Sequence, residues 1–247
     1  MVNTKIPKTI HYSWFGGNPI PEKLKKCLDS WKTFLPDYKI IEWNESNSDL
    51  DVNTYVRQAY DEKKYAFVSD YIRFHVLYTH GGVYLDTDVE VLKSFDPLLN
   101  DQGFVGYEGV LIVGPDTMGA VKGNPIIKES LDGYIGRSFI NEDGTYDYTP
   151  ISSYMTKFFA KRGLVRENRI QIIDGFKVYP VEYFHPLDFW TKKLNITNNT
   201  YSVHMWAESW KSFPERIKTQ FHRIIGDKLM KRLSKIKKWI KRLLNKK

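Results

Sequence analysis

An α/β domain with helices packed on a mostly parallel sheet is the fold class the sequence predicts, on three observations. Strand-like stretches and helix-like stretches alternate over the first 85 residues in the order strand, helix, strand, helix, strand. Gly and Pro stand at the joints between these stretches. At 247 residues and 42% hydrophobic, the chain is long enough to bury one substantial core.

Each element has its own reason. Ile6 to Phe15 alternates β-branched and aromatic residues and closes on Gly16-Gly17-Asn18-Pro19, a strand followed by a turn. Pro21 to Phe34 sets Leu24, Cys27, Leu28 and Trp31 at helical spacing and stops before Pro36; Tyr38 to Trp43 then reads as the second strand. From Asp51 to Thr79 the pattern is helical again, with Phe67, Tyr71, Phe74 and Leu77 recurring, and His80-Gly81-Gly82 ends it. Val83-Tyr84-Leu85 is the third strand, and Asp86 falls at its carboxyl end, where sheets of this class gather ligands. Lys93 to Thr149 is rich in Gly, Pro, Asn and Asp and reads as loops and short elements. Residues 150–163 read as a helix, and Gln171 to Tyr179 and Thr200 to Met205 as strands. These patterns place one domain at residues 1–210 and a tail at 211–247.

The net charge of +8 is unevenly spread: 14 Lys and Arg against two acids from Lys211 onward give the tail +12 and leave the body at −4. In the tail, Leu229, Leu233, Ile236, Ile240 and Leu243 recur in steps of three and four among the cations, a basic amphipathic helix. Such a helix suits an anionic membrane surface; packing on the acidic body or on a second subunit is the alternative. No aromatic platform or groove-reading motif points to nucleic acid. Cys27 is the sole cysteine, so a disulfide within the chain and a thiolate zinc cluster are both excluded. The first residues carry no signal-peptide pattern and no run reaches the ~18 apolar residues of a spanning helix. The expected location is the cytoplasm, peripherally at the inner face of a membrane.

Asp86-Thr87-Asp88 sets two carboxylates on the same side of an extended chain, roughly 6–7 Å apart at Cα. Two such groups can converge on a hard divalent cation, Mn²⁺ or Mg²⁺, that neutralises a departing diphosphate. By themselves, two acids at this spacing are usually solvated turn or cap residues.

The surrounding residues sharpen this reading. Ala66-Phe-Val-Ser69-Asp70-Tyr-Ile-Arg73 followed by Gly81-Gly82-Val-Tyr84-Leu-Asp86-Thr-Asp88, with Ile6-Pro-Lys-Thr-Ile-His-Tyr-Ser-Trp14-Phe-Gly-Gly upstream, resembles the DXD-containing retaining glycosyltransferases. That family includes yeast initiating mannosyltransferases, bacterial capsular-polysaccharide transferases and the glucosylating domains of clostridial toxins. The resemblance implies a GT-A type, Rossmann-like sandwich, a nucleotide-sugar donor, most simply a UDP-sugar, retention at the anomeric carbon and Mn²⁺. It implies that Trp14 stacks on the base, that Asp70 and Arg73 grip the donor sugar and diphosphate, and that Tyr84 lies beside the phosphates. Asp86 would contact ribose and metal, and Asp88 would be the principal metal ligand. Asn44 is a candidate for the base or ribose, and Ser69 for the nucleotide. Val203-His204-Met-Trp206-Ala-Glu-Ser209-Trp210 resembles the closing segment of the family, with His204 as a nitrogen ligand and Trp206, Ser209 and Trp210 over the diphosphate. The segment around Gly114-Pro-Asp116 resembles the loop facing donor sugar and acceptor, with Asp116 or Glu108 near the reacting carbon.

Bland readings stand beside these: a core tryptophan for Trp14, an ordinary ion pair for Asp70 and Arg73, a backbone contact for Ser69, a plain turn for Asn44. The expected reaction is hexose transfer to a glycan or lipid-linked saccharide in surface-polysaccharide (capsule) biosynthesis. A toxin-like protein O-glycosyltransferase and an inactive membrane-bound scaffold are the alternatives.

Overall fold

The computed structural model describes residues 5–109, 111–207 and Ile217. Residues 5–188 and 193–206 belong to one compact unit, an α/β sandwich. Ser209, Trp210 and the amphipathic pattern of the tail lie outside the described residues.

The elements follow in chain order. β1 (Thr9–Ser13), α1 (Glu22–Phe34) and β2 (Lys39–Trp43) form the opening βαβ unit, with β1 and β2 parallel in the register His11 to Ile41. The helical stretch predicted over 51–79 is two helices, α2 (Thr54–Asp61) and α3 (Tyr65–His80). Asn53 caps α2 by accepting from the Val56 amide at 2.9 Å, and Lys63, at φ 56°, turns the chain between the helices. β3 (Gly82–Leu85) then runs parallel to β1 in the middle of the sheet. β4 (Val89–Val91) leaves the sheet and later pairs antiparallel with β9 (Ser202–His204).

The region read as loops holds two of the longest strands, β5 (Gly103–Glu108) and β6 (Ile112–Ala120), followed by α4 (Pro125–Asp132). The glycines that suggested loops make room for rings: a Cβ on Gly106 would come within 2.5 Å of Phe184, and one on Gly119 within 2.2 Å of Phe104. Strand propensity is set by tertiary packing here, which sequence composition does not display. α5 (Ile151–Ala160), the hairpin of β7 (Gln171–Ile173) and β8 (Phe176–Tyr179), and α6 (Val181–Phe184) complete the unit.

The seven-stranded sheet runs β2-β1-β3-β6-β5-β8-β7. Its first three strands are mutually parallel; β6 is antiparallel to both β3 and β5, and β5 is parallel to β8. Alternating side chains feed two cores. Ile10, Tyr12, Val83, Leu85 and Phe104 pack with Trp31 of α1, while Tyr84, Val105, Tyr107 and Met118 pack against α3, α4 and α5. Each fully buried side chain of this size contributes roughly 1.5–3 kcal/mol. Trp31, fully buried, also donates Nε1–H to the Val89 carbonyl at 2.7 Å, tying α1 to the strand after the Asp-x-Asp turn. α3 is buried around most of its circumference, which is why its two charged residues, Asp70 and Arg73, lie inside the protein.

Candidate donor and metal site

The joint between α3 and β3 sets the site. Gly81 (φ 67°) and Gly82 (φ 113°) turn the chain where a Cβ would strike the Lys122 amide at 2.6 Å and the Thr9 carbonyl at 2.7 Å. β3 therefore emerges beside β1, and its carboxyl end carries Asp86-Thr87-Asp88 into a turn closed by the Val89 amide donating to the Asp86 carbonyl at 3.0 Å. The Asp86 amide donates to the Asp116 carbonyl of β6 at 2.9 Å, and the Met205 amide to the Asp88 carbonyl at 2.9 Å. Both ends of the motif are thus held by backbone from elsewhere.

The side chains converge. His204 Nε2 lies 3.2 Å from Asp88 Oδ1, and one ligand atom each of Asp86, Asp88 and His204 falls within 4.8 Å of the others. Register explains this: Val89 pairs with His204 across β4 and β9. Two carboxylate oxygens and an imidazole nitrogen fit a divalent cation. Behind them, Arg73 reaches three acceptors, Pro115 O at 2.7 Å, Asp70 Oδ1 at 3.0 Å and Asp86 Oδ1 at 3.2 Å. Its guanidinium lies 4.8 Å from the Tyr84 ring. Tyr84 is fully buried beneath it.

Burial, partly offset by Arg73, raises the Asp70 carboxyl to about 7 and that of Asp86 to about 6. Burial alone would lower His204, but Asp88 and Asp116 outweigh it and raise the imidazole to about 10. At Asp116 burial is likewise overcome, by His185 and then His204, and the carboxyl falls to about 2. Asp70, Asp86, Asp88 and Asp116 gather here against Arg73 and His204, an excess of carboxylates that suits a bound cation.

The remaining predicted residues stand at varying distances from this convergence. Trp14, half-buried just past β1, donates Nε1–H to Asn18 O at 2.6 Å. Asn44, just past β2, uses its side-chain oxygen on Ser46 N at 2.9 Å and its amide on Glu42 at 2.8 Å. Ser69 donates to Tyr65 O within its own helix at 3.0 Å. Trp206, at φ 52°, lies tilted against His204 with ring centroids 4.0 Å apart and donates to Leu187 O at 2.8 Å. Glu108 lies close enough to His185 and Asp116 for their charges to act on it, and burial raises its carboxyl.

His185 went unread in the sequence. It follows α6, is fully buried, and sets Nε2 2.6 Å from Asp116 Oδ1, so that Asp116, His185 and His204 form a second tight group. A lone His before Pro186 carries no spacing signal; only the packing of α6 under Gly106 and Gly114 brings it in.

Residues 21–105 match the family model described as the glycosyltransferase sugar-binding region containing the DXD motif. The chain is 33% identical over 130 residues to inositol phosphoceramide mannosyltransferase 3 of Schizosaccharomyces pombe, covering 49% of this chain and 35% of that protein. It is 26% identical over 220 residues to an uncharacterized glycosyltransferase of Acanthamoeba polyphaga mimivirus, covering 83% of this chain and 84% of that one. Among solved structures, PaToxG glycosyltransferase superposes with a TM-score of 0.47 at 23% identity over 64% of this chain and 70% of that one. The chain spans about a third of the length of the inositol phosphoceramide mannosyltransferases it matches. The matched segment spans both the Asp-x-Asp pair at the carboxyl end of β3 and Arg73 behind it, and over residues 21–105 the chain is similar to the DXD-containing glycosyltransferases.

Proposed function

We propose that this chain is a retaining, Mn²⁺-dependent hexosyltransferase that takes its sugar from a nucleotide-sugar, a UDP-sugar in the simplest case, and passes it to a glycan or lipid-linked acceptor. The observation that carries the reading is the convergence of Asp86, Asp88 and His204 from two distant segments at the carboxyl end of a central strand. Those three residues would hold the cation, whose chemistry is to neutralise charge on the departing nucleoside diphosphate. Arg73, fixed by three acceptors, adds a buried positive charge to the same wall and orients Asp86. Asp70, held by Arg73 at 3.0 Å, would accept hydrogen bonds from the donor sugar. Among the described residues, no side chain stands out as a nucleophile. Front-face attack, with the acceptor hydroxyl's proton passing to the leaving phosphate, therefore asks only positioning and charge stabilisation of the protein.

A lipid-linked acceptor at a membrane surface agrees with two things: the ceramide acceptors named in the yeast relatives and the +12 charge of residues 211–247. Surface-polysaccharide assembly is the role this combination supports. The deciding experiment is Mn²⁺-dependent release of nucleoside diphosphate from a panel of UDP- and GDP-sugars. One donor should be turned over by the wild type and not by Asp88→Ala. Turnover of none, with no Mn²⁺-dependent nucleotide binding by calorimetry, refutes the enzyme reading.

A further inference from the structure

We propose that Asp116 and His185 are a positioning pair that holds His204 in the tautomer able to bind a cation through Nε2. The inference rests on the reading of Asp86, Asp88 and His204 as the cation's ligands.

An imidazole that binds metal through Nε2 must carry its proton on Nδ1, and something must hold that proton there. In His204, Nε2 faces Asp88, while Nδ1 is buried, lacks a hydrogen-bond partner and points to Asp116 Oδ2 at 3.7 Å. That is roughly 0.5–1 Å beyond hydrogen-bond range, a gap that small side-chain rotations close.

Asp116 is built to be the acceptor. Its Oδ1 lies 2.6 Å from His185 Nε2, and because an ionised carboxylate only accepts, His185 must donate there. Its backbone carbonyl accepts the Asp86 amide at 2.9 Å, so one residue fixes the Asp-x-Asp turn by its main chain and faces the third ligand with its side chain. Gly114 leaves the space this needs, since a Cβ there would lie 3.0 Å from both Asp116 Oδ1 and His185 Nε2. The pair joins β6, the residue after α6, and β9, none of which carries the Asp-x-Asp motif.

The chemistry separates positioning from packing. Asp116→Asn keeps the volume and can still accept from His185, but it turns an amide N–H toward His204 Nδ1. That favours the proton on Nε2, where it blocks ligation. His185→Gln keeps an N–H donor for Asp116; His185→Leu keeps bulk and loses the donor.

The test is calorimetric titration of Mn²⁺ alone into the full chain, with no donor sugar and no turnover. Melting without metal is recorded for each variant. Asp116→Asn and His185→Leu should weaken Mn²⁺ binding about 10- to 100-fold, and His185→Gln should stay near the wild type. Wild-type affinity in Asp116→Asn overturns the proposal. Should that variant not fold, the two His185 variants decide: equal affinities for Leu and Gln mean no positioning. Binding that survives Asp88→Ala but not His185→Leu places the ion among Asp116, His185 and His204, and also overturns it. A wild type that binds no Mn²⁺ fails the underlying reading instead, and Asp88→Ala, expected to abolish binding, tells the two failures apart.

Discussion

His11 shows how tightly single residues are specified around this site. It is fully buried in β1, and its Nδ1 lies 3.0 Å from Trp43 Nε1 while its Nε2 lies 2.9 Å from the Gly81 carbonyl. The indole N–H only donates, so Nδ1 accepts and Nε2–H donates to Gly81: the neutral ring fits and the imidazolium does not. Burial, aided by His80 and Lys39 and opposed only by the Gly81 hydrogen bond, lowers its pKa to about 4. A group held neutral in the fold gains protons first when unfolded, so stability is complete above about 6.5 and declines as pH falls toward 4. The full effect is about 3 kcal/mol. Urea midpoints measured between pH 7 and 4 should show this slope, and His11→Gln, whose amide can accept from Trp43 and donate to Gly81, should flatten it. The sequence marked His11 as part of a motif. Its neutral state depends on Trp43 and Gly81, which are residues of other elements.

At the scale of elements, the Gly81-Gly82 joint determines where the carboxylates go. Gly82→Ala would set a Cβ 2.7 Å from the Thr9 carbonyl at φ 113°, strain and clash together. We expect destabilisation of about 1–3 kcal/mol, read by chemical denaturation, and weaker Mn²⁺ binding because β3 shifts against β1. Gly17→Ala, also at positive φ but with open space around it, should cost less and leave metal binding unchanged. Elements were legible where one pattern decided them. The 3.6-residue spacing of Leu24, Cys27 and Trp31 gave α1, and the Gly-Gly stop gave the end of α3. The break at Lys63 and the strands β5 and β6 were not legible. A positive φ at a lysine has no composition signal, and the glycines of those strands are there for Phe104, Phe176 and Phe184.

At the scale of the molecule, the site ties β9 to the turn between β3 and β4, more than a hundred residues earlier in the chain. A cation bound by Asp86, Asp88 and His204 would bridge the β3–β4 turn and β9, so it should stabilise the whole unit. Mn²⁺ at a hundredfold its Kd should raise the unfolding free energy by about 2.7 kcal/mol, seen as a higher melting temperature absent in Asp88→Ala. The uneven charge gives a second whole-molecule expectation. The full chain should sediment with vesicles of anionic phospholipid at low salt and be released as ionic strength rises, and a chain ending at Trp210 should not sediment.

By itself the sequence determined the α/β class, the helix carrying Asp70 and Arg73, the place of the Asp-x-Asp pair after β3 and the uneven charge of body and tail; it read that pair as extended, where the structure has a turn closed by the Val89 amide on the Asp86 carbonyl. Each of these is written in neighbouring residues, as periodicity, turn chemistry or charge, so it survives without knowledge of what packs on what. Only the tertiary structure decided that Arg73 spans Asp70, Asp86 and the Pro115 carbonyl, that His204 meets Asp88, and that His185 and Asp116 stand behind it. Those contacts join residues far apart in the chain. Strand order, register and the space left by Gly106 and Gly114 set them, and such properties exist only once the sheet has formed.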